Sequence, residues 1–152
     1  METVIKQFHE LTLHELYEIL RLRAQVFVVE QNCVYQDLDG KDYKAWHILG
    51  YRQNQIVAYT RIFAAGDYYE NAAIGRVVVD ESVRKLKLGQ QIMEVSIAAI
   101  REFFDATSTI QISAQSHLKK FYNQLGFKHV GPEYLEDGIP HIQMINAFCK
   151  SD

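Results

Sequence analysis

Apolar residues recur every three or four positions at Leu13, Leu16, Leu20, Ala24 and Phe27. That spacing gathers them on one face of an amphipathic helix. Thr12 precedes the run and Glu15 follows three residues later, the pair of a capping box, so a helix is predicted from Leu13 to about Phe27. Leu88, Ile92, Val95, Ala99 and Phe103 form another such stripe, with Met93, Ile97, Ile100 and Phe104 beside it. So wide an apolar face predicts a helix packed firmly on a sheet. A shorter helix is expected over residues 117–125, stopped by Gly126.

Between the helices, β-branched and aromatic residues cluster in short runs. Residues 5–8, 43–51, 56–64 and 72–79 read as strands, with polar residues 52–55 as a hairpin connection. Residues 108–113 alternate apolar and polar, and two last strands are expected near 127–134 and 141–148, either side of Asp137-Gly138-Ile139-Pro140. Residues 28–42 read as a loop with a turn signal at Asp39-Gly40. The predicted order is β-α-β-β-β-α-β-α-β-β, one α/β domain over residues 1–152. Its sheet is mixed, because a strand-helix-strand crossover is most simply parallel.

Composition narrows the function classes. The chain of 152 residues is 48% hydrophobic and 23% charged, with a net charge of -3. It is long enough to bury a proper core, and it lacks the broad positive footprint of a nucleic-acid binder. No apolar run approaches the roughly 18 residues of a membrane span, and residues 1–10 lack the apolar core of a signal peptide. A cytoplasmic protein with neither nucleic-acid nor membrane partners is expected. Cys33 and Cys149 form no CxxC pair, and the six histidines show no metal-ligand spacing, so no metal is expected. Asp37-Leu38-Asp39-Gly40-Lys41-Asp42 is only partly like a calcium loop: its glycine comes too early and no helices flank it suitably.

Residues 74–94, IGRVVVDESVRKLKLGQQIME, carry a sharper signal. The strand ending Val77-Val78-Val79 runs through an acidic turn into Arg84-Lys85-Leu86-Lys87-Leu88-Gly89-Gln90, and the amphipathic helix follows at once. The first N–H groups of a helix have no internal partners, and the helix dipole favours an anion there. Arg84, Lys85 and Lys87, with the backbone of residues 86–90, suit a diphosphate. A basic turn alone is more often a solvated surface. The second signal is Phe121-Tyr122-Asn123-Gln124-Leu125-Gly126-Phe127. Phe121, Leu125 and Phe127 read as core and cap, whereas the Tyr122 phenol is able to donate a proton to a leaving thiolate.

Together the two segments resemble the GCN5-related N-acetyltransferase (GNAT) superfamily. Its pattern is a valine-rich strand, Arg/Gln-x-x-Gly-x-Gly/Ala opening a helix, and a FYxxLGF-like segment after the next strand. Phe27-Val28-Val29-Glu30-Gln31-Asn32-Cys33 with Tyr35, Asp39 and Asp42, then Gln115 and Glu136-Asp137-Gly138-Ile139-Pro140-His141, resemble the ElaA-type subgroup. The resemblance implies an acyl-CoA N-acyltransferase fold and transfer of an acetyl group from acetyl-CoA, as cosubstrate, to a primary amine of a small molecule or peptide. By that likeness Arg84, Lys85, Leu86, Lys87, Leu88, Gly89 and Gln90 hold the pyrophosphate. The backbone of Val77, Val78 and Val79 pairs with the pantetheine arm, Gln115 contacts it, and Tyr122 protonates the CoA thiolate.

The chain also departs from the pattern. Lys87 stands where the first cradle glycine is expected, and with an ordinary helical φ it would still offer its N–H. Val34 replaces a proline expected after Cys33. The strand before the cradle lacks the carboxylate that many relatives use as a base. Glu30, His47, Glu136 and His141 are the candidates for that role, each with a structural role as the commoner alternative; Glu30 and His141 are favoured as pocket residues. Arg61 and Arg76 are expected to pair with those acids or to bind a carboxylate of the acceptor. Two further readings stay open: a module that binds CoA, acyl-CoA or a protein partner without turnover, and transfer of a longer acyl chain. A homodimer is compatible with the chain.

Overall fold

The computed structural model describes residues 1–148, so Cys149 lies outside the described residues. The strands are β1 (Glu2–Gln7), β2 (Trp46–Arg52), β3 (Gln55–Phe63), β4 (Ala72–Val79), β5 (Ile110–Gln115), β6 (Lys128–Glu136) and β7 (Ile139–Asn146); the helices are α1 (Leu13–Arg23), α2 (Leu88–Phe103) and α3 (Lys119–Gln124). They follow the predicted order. All the strands join one seven-stranded sheet, β1-β2-β3-β4-β5-β7-β6. Only β4 and β5 run parallel; the other neighbours are antiparallel.

Side chains alternate across the sheet and feed two cores. Ile48, Ala58 and Ile62 face α2, which buries Ile92, Met93, Ala99 and Ile100 against them. Leu49 and Tyr59 point the other way, onto Ile19, Leu22 and Val26 of the α1 side. The capping box forms: Glu15 N–H donates to Thr12 Oγ1 at 3.0 Å, and Thr12 N–H to Glu15 Oε1 at 2.9 Å.

Helical backbone does not stop at Phe27. Ala24–Glu30 continues α1 as a π-helix, so residues 28–30 are helical where a loop was expected. Such widened turns recur at functional sites. The predicted strand over 43–51 starts instead at Trp46, because Lys44 N–H bonds Lys41 O at 3.2 Å and closes a turn. The strand expected from residue 108 is delayed to Ile110, because Asp105 Oδ1 accepts from Thr107 N–H at 2.8 Å and holds a turn there. Gly126 ends the α3 segment with φ +90°, as the C-cap signal required.

Two features of β4 shape the site. It pairs with β5 only at Ala72↔Ile110 and Ala73↔Gln111, and beyond them the strands part. Between Tyr59↔Val78 and Arg61↔Gly75, β4 carries one residue more than β3, and Arg76 takes φ +50° there. A bulge of this kind bends its strand and frees backbone groups from the ladder.

Candidate active site

A cavity of about 700 Å³ opens where β4 and β5 part. Val77, Val78, Val79 and Arg84 line one wall, Gln115 and Tyr122 another, and Glu30, Glu136 and His141 also border it. His47 does not line it, nor do Lys85, Leu86, Lys87, Leu88, Gly89 or Gln90. Those six residues continue past Arg84 into the first turn of α2.

Lys87 differs from its expected conformation. Glu81–Leu86 forms a 3-10 helix, and Lys87 then takes φ +59° and ψ +30° before α2 begins at Leu88. The lysine therefore adopts the left-handed backbone that glycine would take at low cost. A right-handed turn followed by one left-handed residue makes successive N–H groups converge on a concavity suited to an anion. The N-terminal N–H groups of α2 lie next in line.

Arg84 is engaged. Its Nη1 and Nη2 donate to Glu30 Oε2 and Oε1 at 2.6 and 2.7 Å, while Nε and Nη2 each reach Val79 O at 3.3 Å. Glu30, expected as a proton acceptor, is thus spent on a bidentate ion pair. Gln115 Nε2–H donates to Gln31 Oε1 at 3.2 Å, which leaves the Gln115 amide oxygen free to accept. Tyr122 sits on α3, packed edge-on to Phe121 and Phe127. Burial pushes its phenol up to about 12, so it carries its proton throughout the physiological range.

The two histidines part company. His47 is buried in the sheet, donating from Nε2 to Asp42 O at 3.0 Å and accepting at Nδ1 from the Tyr59 hydroxyl at 2.6 Å. Burial holds its imidazole below the usual value, and its role is structural. His141 faces the cavity from β7, opposite Gln115 of β5. Its Nδ1 lies 2.7 Å from Ile139 O and its Nε2 3.2 Å from Glu136 Oε2.

Arg61 and Arg76 pair with neither candidate acid, Glu30 or Glu136. They belong to a closed ring of alternating charge with Arg23. Arg23 bonds Asp37 at 2.9 Å and Asp42 at 2.8 Å. Arg61 bonds Asp42 at 2.9 Å and Asp39 at 2.6 Å. Arg76 completes the circuit to Asp37 at 2.8 Å and Asp39 at 3.5 Å. The acids that looked partly like a calcium loop are therefore consumed by arginines. Burial would raise the Asp42 carboxyl, but Arg23 and Arg61 outweigh it and hold the group below the usual carboxylate range; Asp39 is held low in the same way, chiefly by Arg61. The ring pins the segment that carries Tyr35 and Asp39 to the cavity wall.

Sequence reasoning missed Arg23 and the cavity aromatic Phe63. One signal for Arg23 was available: three aspartates within residues 37–42 with a single lysine among them need cations from elsewhere in the chain.

A parted parallel pair, a bulge beside it and a buried tyrosine at one cavity, with an anion nest beyond Arg84 at the start of α2, define an acyl-CoA N-acyltransferase fold. The chain belongs to the GNAT family: the family described as acetyltransferase (GNAT) domain matches residues 14–148. Within it the relatives are ElaA-like. Protein ElaA of Escherichia coli is 45% identical over 144 residues, 93% of this chain and 94% of that protein. The crystal structure of E. coli ElaA superposes with a TM-score of 0.88 at 42% identity, covering 95% of this chain and 98% of that one. An acyl-CoA N-acyltransferase from Pseudomonas aeruginosa gives a TM-score of 0.88 at 41% identity, covering 97% and 100%. An aminoglycoside 6'-N-acetyltransferase complexed with coenzyme A shares the fold alone, with a TM-score of 0.72 at 15% identity over 98% and 99% of the two chains. Among the described residues no helix is long and apolar enough to cross a membrane.

Proposed function

We propose that the protein is an acetyl-CoA-dependent N-acetyltransferase whose acceptor is a primary amine of a small molecule or peptide. The observation that carries this reading is the parted β4–β5 pair: Val77, Val78 and Val79 border its cavity with one backbone edge unpaired by β5, and Tyr122 borders it too. The residues fit coenzyme A. The nest at Lys87 and the first turn of α2, Leu88 to Gln90, offer N–H groups to a pyrophosphate, with the Arg84, Lys85 and Lys87 charges nearby. The edge of Val77–79 that β5 leaves unpaired suits the amides of pantetheine, Val79 O being already engaged by Arg84, and the Gln115 amide oxygen accepts from one of them.

Acetyl-CoA, when bound, supplies the activated thioester. The chain's own residues position the amine and manage charge. The C–N bond forms as the C–S bond breaks, and the departing sulfur needs a proton or a hydrogen bond. Burial makes the Tyr122 phenol a still weaker acid than a thiol, so complete transfer to the sulfur is uphill. Tyr122 therefore acts first as a hydrogen-bond donor to the sulfur and yields its proton only as negative charge accumulates there.

Acetyl-CoA should raise thermal stability, by about 2.7 kcal/mol at 100 times Kd. Free thiol should then appear with a panel of primary amines. A folded sample that millimolar acetyl-CoA does not stabilise would sink the proposal, and stabilisation without thiol release would leave a binding module. Tyr122→Phe should lower kcat by about 10²–10⁴ if the phenol serves the leaving group; an unchanged kcat assigns it to packing.

A further inference from the structure

An alkylamine is an ammonium ion at neutral pH, and its nitrogen cannot attack until a proton leaves. β4 carries no carboxylate, and Glu30 is bound to Arg84. The wall formed by β6 and β7 has what is needed. Ile139 O can only accept, so the 2.7 Å contact fixes the His141 proton on Nδ1. In the neutral ring Nε2 is then a bare lone pair, yet it lies 3.2 Å from a carboxylate oxygen of Glu136. Two acceptors at that distance are a bonded pair only with a proton between them. The surroundings keep the arrangement in place. The Tyr134 ring stacks on the imidazole with centroids 6.2 Å apart, Tyr134 bonds Ser113 through its hydroxyl, and Ser113 Oγ donates to the other Glu136 oxygen at 3.4 Å.

Exposure gives the pair a direction. The His141 side chain is 9% exposed and borders the cavity, whereas that of Glu136 is 50% exposed and reaches water. Neither Glu136 nor its neighbour Asp137 has a lysine or arginine partner among the described residues. Across the cavity the Arg61 and Arg76 charges are balanced within the ring. An arriving ammonium therefore meets uncompensated negative charge on this wall.

We propose that His141 Nε2, backed by Glu136, takes the proton from the acceptor and that the site selects amines that are cationic at neutral pH. The step balances simply. One N–H bond of the ammonium breaks, its electron pair stays on nitrogen, and the proton bonds to Nε2 facing Glu136. The carboxylate then passes that proton to water, and nothing is oxidised or reduced. His141 is the catalytic residue and Glu136 the positioning one. The inference rests on the acetyltransferase reading for the identity of the proton donor.

The test has two arms, both with the full chain. Thiol release is followed with acetyl-CoA and either primary alkylamines or O-benzylhydroxylamine, whose nitrogen is already uncharged at neutral pH and loses no proton before it attacks. His141→Asn retains a donor for Ile139 O but lacks Nε2. It should lower kcat/KM for alkylamines by about 10²–10⁴, a loss at least tenfold greater than for the alkoxyamine, and Glu136→Gln should show the same selectivity in milder form. Equal losses for the two nucleophiles, or none, overturn the proposal. The second arm needs no acceptor: ¹⁵N NMR of the histidine side chains should find the His141 proton on Nδ1. A ring protonated on Nε2 alone overturns the proposal, even if no amine in the panel is acetylated. Failure of acetyl-CoA to stabilise the wild type, by contrast, counts against the parent reading.

Discussion

Replacing Asp42 by asparagine opens the ring of alternating charge. Asp42 accepts from Arg23 at 2.8 Å and from Arg61 at 2.9 Å, and both guanidiniums are almost wholly buried. Asparagine keeps the shape and one acceptor oxygen but removes the charge, leaving three guanidiniums with two carboxylates. Arg61 has little slack, because its Nε has no partner among the described residues. Removing one member of a buried pair costs about 3–5 kcal/mol, since the charge left behind is uncompensated. Against a total stability of roughly 5–15 kcal/mol, that is a large share. At about 2–4 °C per kcal/mol for a chain of this size, Tm should fall by roughly 6–20 °C. Urea unfolding should show a lower midpoint with an unchanged slope. Adding Arg61→Met restores two charges of each sign, so the double variant should lose less than the sum of the two singles. A loss below about 1 kcal/mol for Asp42→Asn would refute the reasoning, because it would place the ring with water-screened surface pairs.

The same ring predicts an acid limit. The Asp39 and Asp42 carboxyls are depressed in the fold, so their contribution is complete above the unfolded value near 4 and is lost as pH falls through the folded values. The urea midpoint should drop below about pH 4, and less steeply in Asp42→Asn; equal slopes would exclude Asp42 as a source. Lys87→Gly removes a side chain from φ +59° and should raise stability by up to about 1 kcal/mol; a lower Tm would mean that the lysine side chain stabilises the turn. Gly50→Ala places a methyl 3.1 Å from Ala58 Cβ and 3.3 Å from Ile92 Cδ1, where α2 meets the sheet. It should cost about 1–3 kcal/mol by overpacking, and an unchanged Tm would show that α2 lifts freely.

What could be read in advance was what is local. The 72–79 strand agrees with its predicted bounds, and the Thr12–Glu15 box forms, because each is encoded by residues within a turn or two of one another. The π-helix after Arg23 was hidden, since a widened turn leaves no mark in a 3.6-residue repeat. Lys87 was misjudged for a related reason: its left-handed φ is imposed by how the 3-10 turn meets α2, against the residue's own preference. Partner choice was the least legible part. Arg76 and Asp37 are 39 positions apart, and Glu30 and Arg84 are 54 apart. Their pairing follows from sheet topology and the bulge in β4, neither of which is written in the charges themselves.

The parting of β4 from β5 also bears on cooperativity. Two register pairs join the β1–β4 half of the sheet to the β5–β7–β6 half, and the core under α2 draws side chains from both. Amide exchange should therefore show the two halves, each antiparallel within itself, opening against one another before either unfolds. On the proposed function, a ligand lying along Val77–79 and reaching Gln115 and Tyr122 would act as the stitch between them. Amide exchange should then slow in both halves together on binding, so that occupancy of the site and integrity of the whole sheet rise and fall together.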